Sequence, residues 1–206
     1  MNKKREYIIS ELMKKKFVEY EAGIICLEET EDTGKSILEL QFSSNKNLSI
    51  KNVDKKNTQM NFFVSNKKES MYKRVDHIIF ECLDNNNWKV HLVEMKSSVG
   101  NDKWIDVKGK FRASYLLVQG IAAILEMNVA ETCMYTSFEK TCFNLPETIP
   151  VARRLQVGGK HVKPQDEWNG GKFALNFGNK IPFIHIPIQM KRNDKGILVG
   201  KYVCRT

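Results

Sequence analysis

Lys73-Arg74-Val75-Asp76-His77-Ile78-Ile79-Phe80-Glu81 and Val90-His91-Leu92-Val93-Glu94-Met95-Lys96-Ser97-Ser98 are two largely apolar runs separated by Asp84-Asn85-Asn86-Asn87. A turn-forming cluster between two such runs predicts a β-hairpin or two adjacent strands. Side chains alternate along a strand, so Glu94 and Lys96 project from one face. Val90 and Leu92 share that face, and Ile78 and Phe80 share the face of Asp76. Charged groups among apolar neighbours are costly to bury without a partner. Two carboxylates and one ammonium on adjoining strands can hold a divalent cation with a positive group beside it. The plainer alternative is a surface hairpin whose Glu94–Lys96 ion pair contributes little.

Asp76, one hairpin, then Glu94-Met95-Lys96 resembles the signature of the PD-(D/E)XK nuclease superfamily. The likeness covers roughly the middle third of the chain. It implies a restriction-endonuclease-like α/β core, with a mixed central β-sheet flanked by helices. It also implies metal-dependent hydrolysis of phosphodiester bonds, with DNA favoured over RNA. By this resemblance Asp76, Glu94 and the Met95 backbone carbonyl hold Mg²⁺ or Mn²⁺, and Lys96 orients the attacking water or offsets developing charge. Asp76, Glu94 and Lys96 are the implied catalytic set, and a homodimer fits if both strands are cut. Val75 stands where many relatives carry proline. A non-catalytic module that grips nucleic acid or protein on the same fold is the rival expectation.

Downstream, Ser97 to Asp102 reads as a loop in which Ser97 and Ser98 could donate to phosphate. From about Ile105 to Met127, Phe111, Tyr115, Val118, Ile121, Ala122 and Leu125 recur at helical spacing, with Asn128 marking the end. Lys108, Arg112, Tyr115 and Gln119 form a polar stripe on this helix at steps of four, three and four. The resembled family often supports its site from this helix, which makes Arg112 and Gln119 candidate nucleic-acid contacts; a solvated helix face is the alternative. Ala130 to Phe138 reads as a strand, and strand–helix–strand predicts parallel pairing across the crossover. Residues 144–182 hold Pro146, Pro150, Gly158-Gly159, Pro164 and Gly170-Gly171, with Arg153-Arg154, Lys160, Lys163 and Trp168 interleaved. They read as a long loop or β-rich excursion suited either to a nucleic-acid groove or to a surface elaboration. Pro182 to Ile188 reads as an edge strand because of its prolines. Ile197 to Cys204 reads as the last strand.

Upstream, Ile8, Ile9, Leu12, Met13 and Phe17 predict an amphipathic helix over residues 3–20. By the resemblance, Glu11 or Glu19 could add a third acid to the site, although a solvated face is favoured. Gly23 to Leu27 and Ser36 to Phe42 read as strands, Leu48 to Ile50 as a short one within a loop, and Met60 to Ser65 as a short apolar segment. Gly34-Lys35-Ser36 is not a phosphate loop, because Glu29 stands where that motif needs glycine.

The chain has 206 residues, 33 basic and 24 acidic, with a formal net charge of +9. That length suits a single domain, with a core over about 1–143 and a loop- and strand-rich elaboration over about 144–206. The positive balance suits a phosphate polyanion. Five widely spaced cysteines without a Cys-x-x-Cys favour reduced thiols in the cytoplasm over a disulfide or zinc framework. No apolar run is long enough for a membrane span, and the basic opening lacks the apolar stretch of a secretory signal. His77 and His91 fall on faces opposite Asp76 and Glu94, and no His-x-x-x-His pattern exists. A zinc hydrolase is therefore disfavoured.

Overall fold

The computed structural model describes residues 3–7, 9, 18–31, 34–51, 53, 70–84, 86–143, 155–157 and 160–204. The hairpin forms as β5 (His77–Cys82) and β6 (Asn87–Met95), paired antiparallel with His77 opposite Val93. Both strands are buried along almost their whole length, which places them inside a sheet covered on two sides.

β1 (Val18–Glu21), β4 (Asn47–Lys51), β5, β6, β8 (Asn128–Phe138), β13 (Lys180–Gln189) and β12 (Lys172–Asn176) lie in that order in a seven-stranded sheet. β6, β8 and β13 run parallel and the remaining neighbours antiparallel, so the fold is mixed α/β, with strands far outnumbering helices. α2 (Asn101–Ile124) makes the crossover from β6 to β8. Alternation divides the core between two faces. Ile78, Phe80, Val90, Leu92 and Met134 meet Trp104, Val107, Phe111 and Val118 of α2. Ile79, Val93, Met95, Cys133 and Tyr135 meet Ile25, Leu27, Leu38, Leu40 and Leu198. The latter group comes from a second sheet, ordered β14 (Lys191–Arg192), β15 (Leu198–Val203), β3 (Gly34–Gln41) and β2 (Ile24–Glu31). Gly34-Lys35-Ser36 lies within β3, as its rejection as a phosphate loop anticipates.

Several boundaries differ from the sequence reading. The opening helix is α1 (Lys3–Tyr7), and Val18–Glu21 is a strand rather than the end of a helix. Those residues pair with β4, whose backbone edge outweighs local helical spacing. α2 begins at Asn101, about four residues earlier than its apolar repeat suggests, because its first turn is polar and solvent-facing. Its chain reversal comes at Glu126 (φ 54°), and Asn128 opens β8 instead of ending the helix. Met60 to Ser65 lies outside the described residues.

The largest difference concerns the C-terminal third, which is part of the core rather than an elaboration. α3 (Pro164–Asn169) and β12 come from residues expected to be irregular, as do β10 (Leu155–Val157) and β11 (Lys160–Val162), while β13 begins two residues before the strand expected over Pro182 to Ile188. Trp168 is buried, with its ring against Trp104, Phe138 and His185, so it is a core residue and not an aromatic platform in a groove. Pro at the first helical turn starts α3, and the glycines that looked like loop punctuation end it.

β13 is an internal strand, not an edge. It pairs with β12 through residues 180–184 and with β8 through residues 184–189, so each half has one bare side. The His185 N–H donates to Gly171 O on the β12 side. Alternation therefore turns the Pro187 nitrogen to that same side, beyond the end of β12, and the Pro182 nitrogen to the β8 side, before β8 joins. Each proline sits where no ladder bond is lost, which is the condition that keeps proline out of most central strands.

Candidate functional site

Extending the β5–β6 register by one residue sets Asp76 directly across from Glu94 on the α2 face. The backbone around Asp76 is tied on three sides. The Val75 N–H donates to Ser114 Oγ of α2 (2.9 Å), Asp76 O accepts from Val53 N (3.1 Å), and Asp76 Oδ2 accepts from Met95 N (2.6 Å). The Lys96 N–H donates to Ser137 O (2.9 Å), which keeps the chain extended one residue past β6 and preserves the Glu94–Lys96 alternation. β7 (Ser98–Val99) pairs with β9 (Lys140–Thr141), and Cys142 N donates to Val99 O (2.7 Å). A Cβ on Gly100 would come within 2.6 Å of the Cys142 carbonyl oxygen, so only glycine lets the chain pass here into α2.

The three residues read from the sequence converge. Lys96 Nζ lies 2.5 Å from Glu94 Oε1. A fourth member comes from α2, where Lys110 Nζ lies 2.6 Å from the same oxygen and 3.7 Å from Asp76 Oδ1. Sequence reading missed Lys110. The readable sign was its place on the apolar stripe, three residues after Val107 and four before Ser114, both buried. Lysine there must reach a partner across the core face or pull the helix away from the sheet.

Glu94 is fully buried and Asp76 nearly so. Burial, and after it the negative charge of Asp76, raises the Glu94 carboxyl to about 7, against the pull of Lys96 and Lys110. Burial alone would lower Lys96, but the charges of Glu94 and Asp76 more than compensate and raise it, so it is held as an ammonium. Glu94 Oε2 is buried with no hydrogen-bond partner. Met95 turns its N–H toward Asp76, and in an extended strand the carbonyl of the same residue borders the same side.

Because Glu94 is raised, the metal-free fold favours its protonated form. The unfolded chain loses that proton near pH 4.5 and the folded one near 7. Stability therefore falls as pH rises through this window, by an amount on the order of 3 kcal/mol. Glu94→Gln removes this dependence. In chelator, the unfolding free energy of the variant relative to wild type should climb between those two pH values. A flat difference would show that Glu94 does not carry the effect.

The other candidates lie elsewhere. Gln119 is exposed at the far end of α2, about 13 Å along the helix from Lys110. It lines a cleft of about 540 Å³ with Tyr115, Val129 and Phe183, away from the carboxylates. Arg112 is half-buried and two positions past Lys110, about 200° round the helix from it. Lys108 Nζ binds Glu167 of α3 at 2.8 and 2.9 Å, and Trp104 Nε1 donates to the same carboxylate (3.0 Å). That part of the polar stripe is thus a structural lock between helices. Glu19 pairs with Lys51 on the exposed edge strand β1 and supplies no third acid; Glu11 lies outside the described residues. Glu29 of β2 does come close enough to influence Lys96, and both line a narrow cleft with Lys35, Ser36, Ser97 and Arg192.

His91 lies on the opposite face, fully buried, with Nε2 3.0 Å from Glu81 Oε2 and Nδ1 2.9 Å from Tyr135 Oη. Burial lowers its pKa; burial also acts to raise Glu81, but the hydrogen bond from His91, its charge, the Ser44 N–H and the charge of Lys89 together hold that carboxyl low. A neutral imidazole donating to a carboxylate is a core device tying β5, β6 and β8 together within the central sheet. His185 is buried against Trp104 and Trp168, and burial lowers it to about 3. The His161 side chain lies outside the described residues. All five cysteines are free thiols. No group of three or more His, Cys, Asp or Glu side chains among the described residues is placed to hold a metal ion. The oxygen set here is two carboxylates and a backbone carbonyl.

No family model matches the chain, and no curated protein or solved structure matches it either. The functional reading therefore rests on this geometry. No helix among the described residues is long and apolar enough to cross a membrane.

Proposed function

We propose that this protein is a divalent-metal-dependent nuclease of the PD-(D/E)XK type. On this reading it hydrolyses phosphodiester bonds, in DNA before RNA and by endonucleolytic cuts, from a restriction-endonuclease-like core. The observation that carries the reading is the meeting of Asp76, Glu94 and Lys96 at one buried point where two strands end. Like charges directly opposite each other across a strand pair are unfavourable unless a cation lies between them. The unpartnered, buried Glu94 Oε2 is a further acceptor awaiting a positive partner. Oxygen donors of this kind suit Mg²⁺ or Mn²⁺.

Asp76, Glu94 and the Met95 carbonyl would hold the ion. When bound, it supplies Lewis-acid polarisation of the phosphoryl group and a more acidic water. Asp76 is locked by the Met95 N–H, so its remaining oxygen is presented in a fixed direction. Lys96 keeps its proton and acts through charge, beside the phosphoryl oxygens as negative charge develops there. Water forms the new P–O bond, the ester P–O bond breaks, and the departing oxygen leaves as a hydroxyl after protonation. The net charge of +9 favours approach of the polyanion.

The decisive assay incubates the protein with supercoiled plasmid, single-stranded DNA and RNA, with Mg²⁺ or Mn²⁺ and with chelator. Cleavage of DNA with metal, none in chelator, and none with Asp76→Asn is the expected pattern. Faster cutting of RNA would move the substrate class.

A second reading is a non-catalytic nucleic-acid- or protein-binding module. One observation favours it: Lys96 and Lys110 already neutralise Asp76 and Glu94 without any ion. Binding of nucleic acid without cleavage under every metal condition would make it the better account.

A further inference from the structure

We propose that Lys110 is an internal stand-in for the divalent ion, holding the space between Asp76 and Glu94 until the metal displaces it. This rests on the metal-dependent reading above and adds a control step to it. Of the two lysines, Lys96 pairs with Glu94, whereas Lys110 pairs with both carboxylates, 2.6 Å from Glu94 Oε1 and 3.7 Å from Asp76 Oδ1. Of the four carboxylate oxygens, Asp76 Oδ1 and the unpartnered Glu94 Oε2 are the two left for an ion. Asp76 Oδ2 is committed to the Met95 N–H, and Glu94 Oε1 is shared by two ammonium groups. A small divalent ion binds oxygen at about 2.1 Å. An ion drawing on Asp76 Oδ1 and Glu94 Oε2 at about 2.1 Å comes close against the Lys110 ammonium, which lies 3.7 Å from Asp76 Oδ1 and 2.6 Å from the other oxygen of Glu94, so the two cations oppose each other.

Lys110 is able to leave. Its ammonium is carried on a flexible four-carbon stem from α2, and the side chain is about one-sixth exposed, so it already borders solvent. Charge adds a consequence. Above pH 7, with Glu94 ionised, Asp76, Glu94, Lys96 and Lys110 sum to zero, so the metal-free site has no net pull on a phosphodiester. Entry of one divalent ion brings the same four groups to a net +2, and the released ammonium is free to meet the incoming phosphate. Metal binding and substrate binding are thereby coupled through one side chain.

Mn²⁺ binding without nucleic acid, read from the electron paramagnetic resonance signal of the free ion at a pH well above 7, tests this. Lys110→Met should bind Mn²⁺ about tenfold more tightly than wild type, Lys110→Arg should stay near wild type, and Glu94→Gln should bind weakly. Binding by Lys110→Met but not by wild type also supports the proposal. Equal or weaker binding by Lys110→Met, with wild type binding normally, overturns the stand-in role and leaves the nuclease reading intact. If neither protein binds Mn²⁺, both readings fall. A second measurement needs no variant: Mn²⁺ should raise the reactivity of the wild-type Lys110 amine toward an acetylating reagent, read by mass spectrometry. Unchanged reactivity on metal loading contradicts displacement.

Discussion

Lys96→Met is expected to slow DNA cleavage by at least about a hundredfold while the protein stays folded, in keeping with the loss of one charge-stabilising group aimed at a reacting centre. Lys96 pairs with Glu94 while its side chain is about one-fifth exposed, so its ammonium lies both at the carboxylates and within reach of an entering phosphate. Folding should survive because Glu94 keeps Lys110 at 2.6 Å, and a buried carboxylate with one cation is far better off than one with none. Initial rates of plasmid nicking, alongside thermal unfolding, separate the two effects. A rate within about twofold of wild type would remove Lys96 from the chemistry.

Trp168→Ala is expected to cost about 3–5 kcal/mol of stability, the usual range for emptying a buried indole. The residue is only 3% exposed, with ring centroids 5.2 Å from Trp104, 5.2 Å from Phe138 and 4.8 Å from His185. Trp104 belongs to α2, the helix that also delivers Lys110 and Ser114 to the site, so the loss should reach the site as well as the core. Chemical denaturation measures it. A loss below about 1 kcal/mol would mean that α3 is not integral to the core.

What could be read from the sequence follows from how local each signal was. The β5–β6 hairpin, the parallel crossover through α2 and the convergence of Asp76, Glu94 and Lys96 all rest on period and turn chemistry within about sixty residues. Lys110 sits in the same window without such a signal, because it falls on the apolar stripe of the helix whereas Lys108, Arg112 and Gln119 mark out the polar one. The C-terminal third was illegible for another reason. Prolines and glycines in residues 144–182 carry the local signature of a loop, yet Trp168, Phe173 and Phe183 find their partners across the fold, on α2 and each other. Contacts between residues so far apart in the chain leave no periodic trace. The opening segment failed similarly: Val18–Glu21 is extended because β4 offers it an edge.

The split pairing of β13 bears on how the molecule behaves among its own copies. A strand that changes partners midway leaves two short stretches of backbone open to recruitment by a neighbouring chain, which is how sheets begin to polymerise. Pro182 and Pro187 each remove a donor that such a docking strand would seek there. The offset that lets β13 bridge β8 and β12 thus offers a docking chain fewer donors than an ordinary exposed strand would, through two residues that looked like obstacles to a strand.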